Sequence, residues 1–179
     1  FLQDVWAVEN EGFGHKSAEK NANCCLPSMP TKCGTSNSGS DGVAAVIGSD
    51  GAPIDTHLLR NRFHDNQNCI RVEDGAGVTE LRGNDCGGQS IILEKNGLKT
   101  VIAGNTLGGI DQSWRENFTL TVEGNRLSRI NVESGDVARR STLTNNVFIE
   151  PFSVRWGQTT TTTIGGVNAL PNSSGNVAQ

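Results

Sequence analysis

Glu73 and Glu94 lie 21 residues apart, and each follows an inward-type apolar residue, Val72 and Leu93. A chain that repeats at that period stacks its turns, so residues one period apart become neighbours in space. Strands in adjacent turns lie about 4.8 Å apart. Hydrolysis of a glycosidic bond uses two carboxylates about 5–9.5 Å apart. Glu73 and Glu94 are therefore candidates for an acid pair, one carboxyl having its pKa raised by its like-charged neighbour. Asp85 and Asp111 form a second candidate acid set. Asp74 and Lys95 stack beside the glutamates, and a solvated charged face is the plainer account of that cluster.

A second face carries Arg62, Asp85, Thr106 and Arg126 at one equivalent position. Asp85 stacks on Arg62 there, which predicts a structural ion pair. His57 and Glu80 form another polar pair, and Asp65 and Asp111 sit in the turns that follow. Arg62, Glu80 and Arg126, with Trp114 nearby, offer polar forks and an aromatic ring that could grip an acidic or neutral glycan. An ordinary wet sheet face is the alternative. His15, His57 and His64 do not combine with acids at metal-ligand spacing, so neither metal nor cofactor is expected. Asn117-Phe118-Thr119 and Asn172-Ser173-Ser174 have the form of glycosylation acceptors.

The ruler that aligns these residues is a phrase of the form small-or-polar, Asn, any residue, apolar. It occurs at Arg60-Asn61-Arg62-Phe63, Gly83-Asn84-Asp85-Cys86, Gly104-Asn105-Thr106-Leu107, Gly124-Asn125-Arg126-Leu127 and Asn145-Asn146-Val147-Phe148. Successive Asn residues are 23, 21, 20 and 21 positions apart. Three apolar pieces recur per period. One follows the Asn, and one precedes it by three residues: Leu58, Leu81, Ile102, Val122 and Leu143. The third alternates, as in Ile70-Val72-Gly75, Ile130-Val132-Gly135 and Phe152-Val154-Gly157. Period-two alternation marks strands with one face inward, and no 3.6-residue pattern is visible. The reading is an all-β, single-stranded, right-handed parallel β-helix with three short strands per coil and about six or seven coils. Asn tolerates left-handed backbone angles at the recurring turn, and stacked Asn amides bond one another as in cross-β ladders. Asn61, Asn84, Asn105, Asn125 and Asn146 are thus a structural ladder, with ligand contact the lesser alternative.

The chain divides into a β-helix over 1–157, with a long loop at 13–42, and a Thr-rich segment at 158–179. That last segment reads as a cap, an oligomerisation strand able to make a homotrimer, or a flexible tail, with Asn172–Gln179 its loose end. The template enters in mid-coil at Phe1, so more chain is expected before it. Hydrophobic residues make up 35% of 179, while 22 are Gly, a balance that favours short strands and tight turns over helices. The net charge of −4, without a Lys/Arg stripe, argues against nucleic acid and anionic membranes as partners. No apolar run reaches the roughly 18–20 residues of a membrane span. Of five Cys, Cys24, Cys25 and Cys33 share one segment, where a disulfide from Cys33 is open in an oxidising compartment. Cys69 and Cys86 read as reduced core fillers.

Gly83-Asn84, Gly104-Asn105 and Gly124-Asn125, with their apolar neighbours, make residues 43–157 resemble the right-handed parallel β-helix of the pectate-lyase-like superfamily. The resemblance implies an extracellular or virion-surface protein that engages a polysaccharide or surface glycan, as a phage tailspike or similar host-recognition protein does. It also admits a polysaccharide lyase, hydrolase or epimerase, or a structural shaft or adhesin segment. The paired-Asp motif of polygalacturonases and the Arg-x-Pro-x-x-Arg and Asp-His motifs of pectate lyases are absent, which sets those two activities aside.

Overall fold

The structure, a computed structural model, describes residues 2–3, 6–8, 16–17, 43–47, 54–64, 68–72, 76–94, 98–112 and 118–179. Successive coils stack as three parallel ladders. The first sheet runs through Ile54–Leu59, Ala76–Arg82, Lys99–Ala103, Thr119–Glu123 and Thr142–Thr144. A short corner ladder pairs Arg62 with Asp85, Asp85 with Thr106, Thr106 with Arg126, and Arg126 with Val147. The second sheet runs through Val43–Ile47, Asn68–Val72, Ser90–Leu93, Gly109–Gln112, Arg126–Val132 and Val147–Trp156. The chain is therefore a parallel β-helix with three strands per coil. The five Asn corners from Asn61 to Asn146 enclose four complete turns, fewer than the six or seven expected. The tally from sequence had counted incomplete turns at either end as full ones.

Inward residues form continuous buried columns. Leu58, Leu81, Ile102, Val122 and Leu143 make one, and Phe63, Cys86, Leu107, Leu127 and Phe148 another. In the second sheet Ile70, Ile91, Ile110, Ile130 and Val154 align. Such columns exist because period-two alternation puts every second side chain on one face, and each coil hands its apolar edge to the next.

The Asn column sits at the corner between these apolar columns, wholly buried. The backbone N–H and side-chain Nδ2 of each Asn both donate to Oδ1 of the Asn one coil on. For Asn84 the acceptor is Asn105 at 2.8 and 3.0 Å, and for Asn105 it is Asn125 at 3.0 and 2.9 Å. The same Nδ2 also donates backwards, to the carbonyl of the apolar residue three before the previous Asn: Asn84 to Leu58, Asn105 to Leu81, Asn125 to Ile102. One side chain thus ties three coils. The left-handed conformation belongs to the residue before each Asn, three times a glycine, and not to the ladder Asn itself. Arg60, Gly83, Gly104, Gly124 and Asn145 all have φ between 56° and 64°. Glycine takes that angle at no steric cost, which is why it recurs there.

The ladder gains a sixth rung at Asn176 and then stops. Asn146 donates to Asn176 Oδ1 as to any other rung, at 3.0 Å from both nitrogens. Asn176 donates in turn to Oδ1 of Asn168, at 3.1 and 3.0 Å, and Asn168 Nδ2 returns a bond to the Asn176 carbonyl at 2.9 Å. Asn168 comes from a short helix, Ile164–Asn168, so a helical side chain fills the place of a further coil. Ser173–Ser174 and Val177–Ala178 pair with the last coil, so Asn172–Gln179, read as a loose end, contains strands bonded to the solenoid. Thr159–Thr161 turns back antiparallel on Val154–Trp156, covering the end of the second sheet.

Three further points correct the sequence reading. Cys69 and Cys86 form a disulfide and are not separate thiols. The bond joins the second sheet of one coil to the corner of the next, with both residues fully buried. Gly135 opens a helix, Gly135–Arg140, and does not close a strand piece. The signals were legible: Ser134 caps Val137 N–H through its side chain, Asp136 lies in the first turn, and Arg139 and Arg140 lie in the last. Finally, the coil-to-coil equivalent of Ile130-Val132 is Val154-Trp156, two residues beyond the expected Phe152-Val154. The last coil holds an extra bulge after Phe148.

Asn125→Ala leaves the N–H and Nδ2 of Asn105 without their acceptor and removes the Nδ2 hydrogen bond to the Ile102 carbonyl. It should cost about 3–5 kcal/mol, given roughly 1–3 kcal/mol per buried unsatisfied group. Asn168→Ala at the exposed end should cost about 1 kcal/mol, because water replaces the lost partner. Urea midpoints compare the two, and equal small losses would refute a structural role for the ladder. Reducing Cys69–Cys86, 17 residues apart, should cost about 3 kcal/mol by the loop-entropy relation, seen as a lower melting temperature in reductant.

Candidate functional site

The bulge in the last coil shapes a concavity on the outside of the second sheet. Leu127 pairs with Phe148, but Arg129 pairs with Ser153, so one residue on one strand faces four on the other. Ile149 to Pro151 bulge away from the column, with a cis bond between Glu150 and Pro151. Phe152 turns back into the core, its ring packed against Phe148 at 5.1 Å between centroids and tilted by 38°. The bulge walls a shallow trough of about 490 Å³ on the outside of the second sheet, lined by Gly88, Ser90, Gly108, Ser128, Arg129, Pro151, Phe152 and Ser153.

The floor is backbone. A Cβ on Gly108 would stand 1.9 Å from the Gly88 carbonyl oxygen, so these coils touch main chain to main chain and no side chain fills the trough. The Ser128 and Arg129 N–H groups both donate to the Gly108 carbonyl at 3.1 Å, and Ser128 Oγ donates to it at 2.9 Å. Arg129 lies across Gly109, where a Cβ would press on it at 3.1 Å. Its Nη2 donates to Asp111 Oδ2 at 2.5 Å and to Ser90 Oγ at 3.2 Å. The guanidinium is therefore fixed by three coils: its own, the coil of Asp111 and the coil of Ser90. The result is a half-exposed donor fork, tethered to Asp111 and Ser90, beside three hydroxyls and the Pro151 ring.

The residues nominated from sequence fall on three different ladders. Asp85 lies on the corner, 3.6 Å from Arg62 Nε, and its Oδ1 accepts from Gly87 N–H at 3.0 Å. Arg126 and Thr106 continue that corner, exposed. Asp111 lies on the second sheet, level with Ile92 and Asn131, so Asp85 and Asp111 are not stacked partners. Glu94 is on the edge of the second sheet, 3.8 Å from Arg71 Nε. Glu73, Asp65, Trp114 and Asn117 lie outside the described residues, so the Glu73–Glu94 spacing is not fixed. Glu80 is on the first sheet, accepting from Arg82 Nε at 3.4 Å and lying 3.2 Å from His57 Nδ1. Of the nominated residues that are described, only Asp111 takes part in the trough, through Arg129. Among the described residues no cluster of three His, Cys, Asp or Glu could hold a metal ion.

Arg129, Ser90, Ser128 and Ser153 were missed because the trough depends on the four-residue bulge. One sequence signal did exist: Pro151 interrupts an otherwise alternating strand, a placement that marks bulges. No protein-family model matches the chain, and neither a curated protein nor a solved structure does.

Glu80 lies between Arg82 and His57 on the first sheet. Partial burial pushes its carboxyl up, but the hydrogen bonds and positive charge of Arg82 and His57 outweigh this and hold it below its ordinary value of 4.5. A depressed folded-state value contributes stability above the ordinary value, lost as pH falls through the folded one. Melting temperature followed through that acid range should therefore fall less steeply in Glu80→Gln than in the parent. Parallel curves would rule the interaction out.

Proposed function

We propose that this β-helix is an extracellular carbohydrate-engaging module, of the kind found in tailspikes and related host-surface recognition proteins, and that it grips its glycan in the trough over Arg129. The observation that carries this reading is the Arg129 fork, held by Asp111 and Ser90, set among the Ser90, Ser128 and Ser153 hydroxyls and beside the exposed Pro151 ring. Sugars present both hydroxyl edges and apolar C–H faces. A site combining fixed polar groups with an apolar wall meets both. Rigid donors also bind at a smaller entropy cost than mobile ones. The long parallel face suits an extended polymer, since coils repeat every 4.8 Å or so along it. The Cys69–Cys86 disulfide supports a location in an oxidising compartment.

Isothermal titration with a panel of bacterial and plant oligosaccharides tests the reading. At least one should bind saturably, and Arg129→Ala should weaken it about tenfold to a hundredfold, the loss expected for hydrogen bonds to a charged donor. Arg126→Ala on the corner should leave affinity unchanged. Weakening by Arg126→Ala alone would move the site to the corner ladder, and no binding across the panel would reject the function.

A further inference from the structure

The trough's electrostatics carry a statement about which glycan it takes, and this rests on the carbohydrate reading above. We infer that it selects a neutral sugar over an acidic one, and that Asp111 sets this preference through Arg129. Among the described residues the guanidinium is the one charged group lining the trough, and the Asp111 carboxylate already matches it at 2.5 Å. The same balance holds along the outside of the second sheet, where Arg71 stands 3.8 Å from Glu94 and Arg155 3.2 Å from Glu133. A polyanion laid on this face would meet paired cations and would also approach their carboxylates. A second carboxylate reaching Arg129 must compete with Asp111, at a cost in like-charge repulsion.

Neutral hydroxyls face no such competition. Ser90 Oγ accepts from Arg129, which leaves its own O–H to donate. Ser128 Oγ donates to the Gly108 carbonyl, which leaves its lone pairs to accept. Arg129 keeps N–H groups beyond the single nitrogen bonded to Asp111 and Ser90. A donor, an acceptor and an uncharged-in-sum fork match the hydroxyl edge of a neutral pyranose. Asp111 acts here as a positioning residue, fixing the guanidinium and cancelling its charge.

The test compares neutral hexasaccharides (cellohexaose, maltohexaose and mannohexaose) with hexagalacturonate, by titration calorimetry at low and moderate salt. The intact protein should bind at least one neutral hexasaccharide about tenfold or more tightly than hexagalacturonate. Asp111→Asn keeps the shape and frees the charge of Arg129, so affinity for hexagalacturonate should rise about tenfold and fall again with added salt. Arg129→Gln should abolish that gain in the double variant, which separates it from any loss of folding. A parent protein that prefers hexagalacturonate, or an Asp111→Asn variant with unchanged preference, overturns the inference while leaving glycan binding intact. Failure of all four sugars to bind overturns both.

Discussion

Asn84, Asn105, Asn125 and Asn146 are each bonded into the coil before and the coil after their own, and the rest of the molecule depends on that arrangement. A parallel stack has a register problem, because a slip of one residue turns every inward side chain outward. Apolar columns alone resist slippage weakly, since Leu, Ile and Val are nearly interchangeable in shape. The amide ladder removes that freedom. Each Oδ1 collects two N–H groups from one neighbour, and each Nδ2 reaches a carbonyl in the other direction. A shifted coil would bury several unpaired polar groups, which is costly in a low-dielectric interior.

The corner so fixed positions both of its flanks. Sheet residues are counted from the Asn, so the strand that follows always begins its inward alternation at the same place. Variation is confined to what lies between corners, and the last coil uses that tolerance. Four residues intervene between Phe148 and Ser153, yet Val154 and Trp156 return to their columns. The trough is thus an irregularity held at both ends by regular structure. Its side chains can be rigid because Arg129, Ser90 and Asp111 come from three successive coils whose relative heights the ladder sets.

How much of this the residues disclose depends on their repetition. The Asn spacing, the preceding left-handed position and the apolar slot recur five times, and the fold follows from them. What happens once is hard to read. The bulge at Ile149–Phe152 shifts equivalence by two residues, and counting glycines led to the wrong partner for Ile130. The Cys69–Cys86 bond joins residues that look like two ordinary core fillers, because their proximity is a matter of coil geometry and not of a Cys pattern. Asn176 stands 30 residues past Asn146, too far for the period, so the sixth rung was invisible. The candidate site suffers most, since Arg129 gains its meaning from Asp111 and Ser90, 18 and 39 residues away.

The central claim is that a ladder-registered face presents one binding trough, over Arg129. Amide chemical-shift mapping on the intact protein, titrated with a neutral hexasaccharide, tests it most directly. The account predicts shifts confined to Ser90, Gly108, Ser128, Arg129 and Ser153, with the Asn corner amides unmoved. Shifts centred instead on His57, Glu80 and Arg82 of the opposite sheet would contradict it.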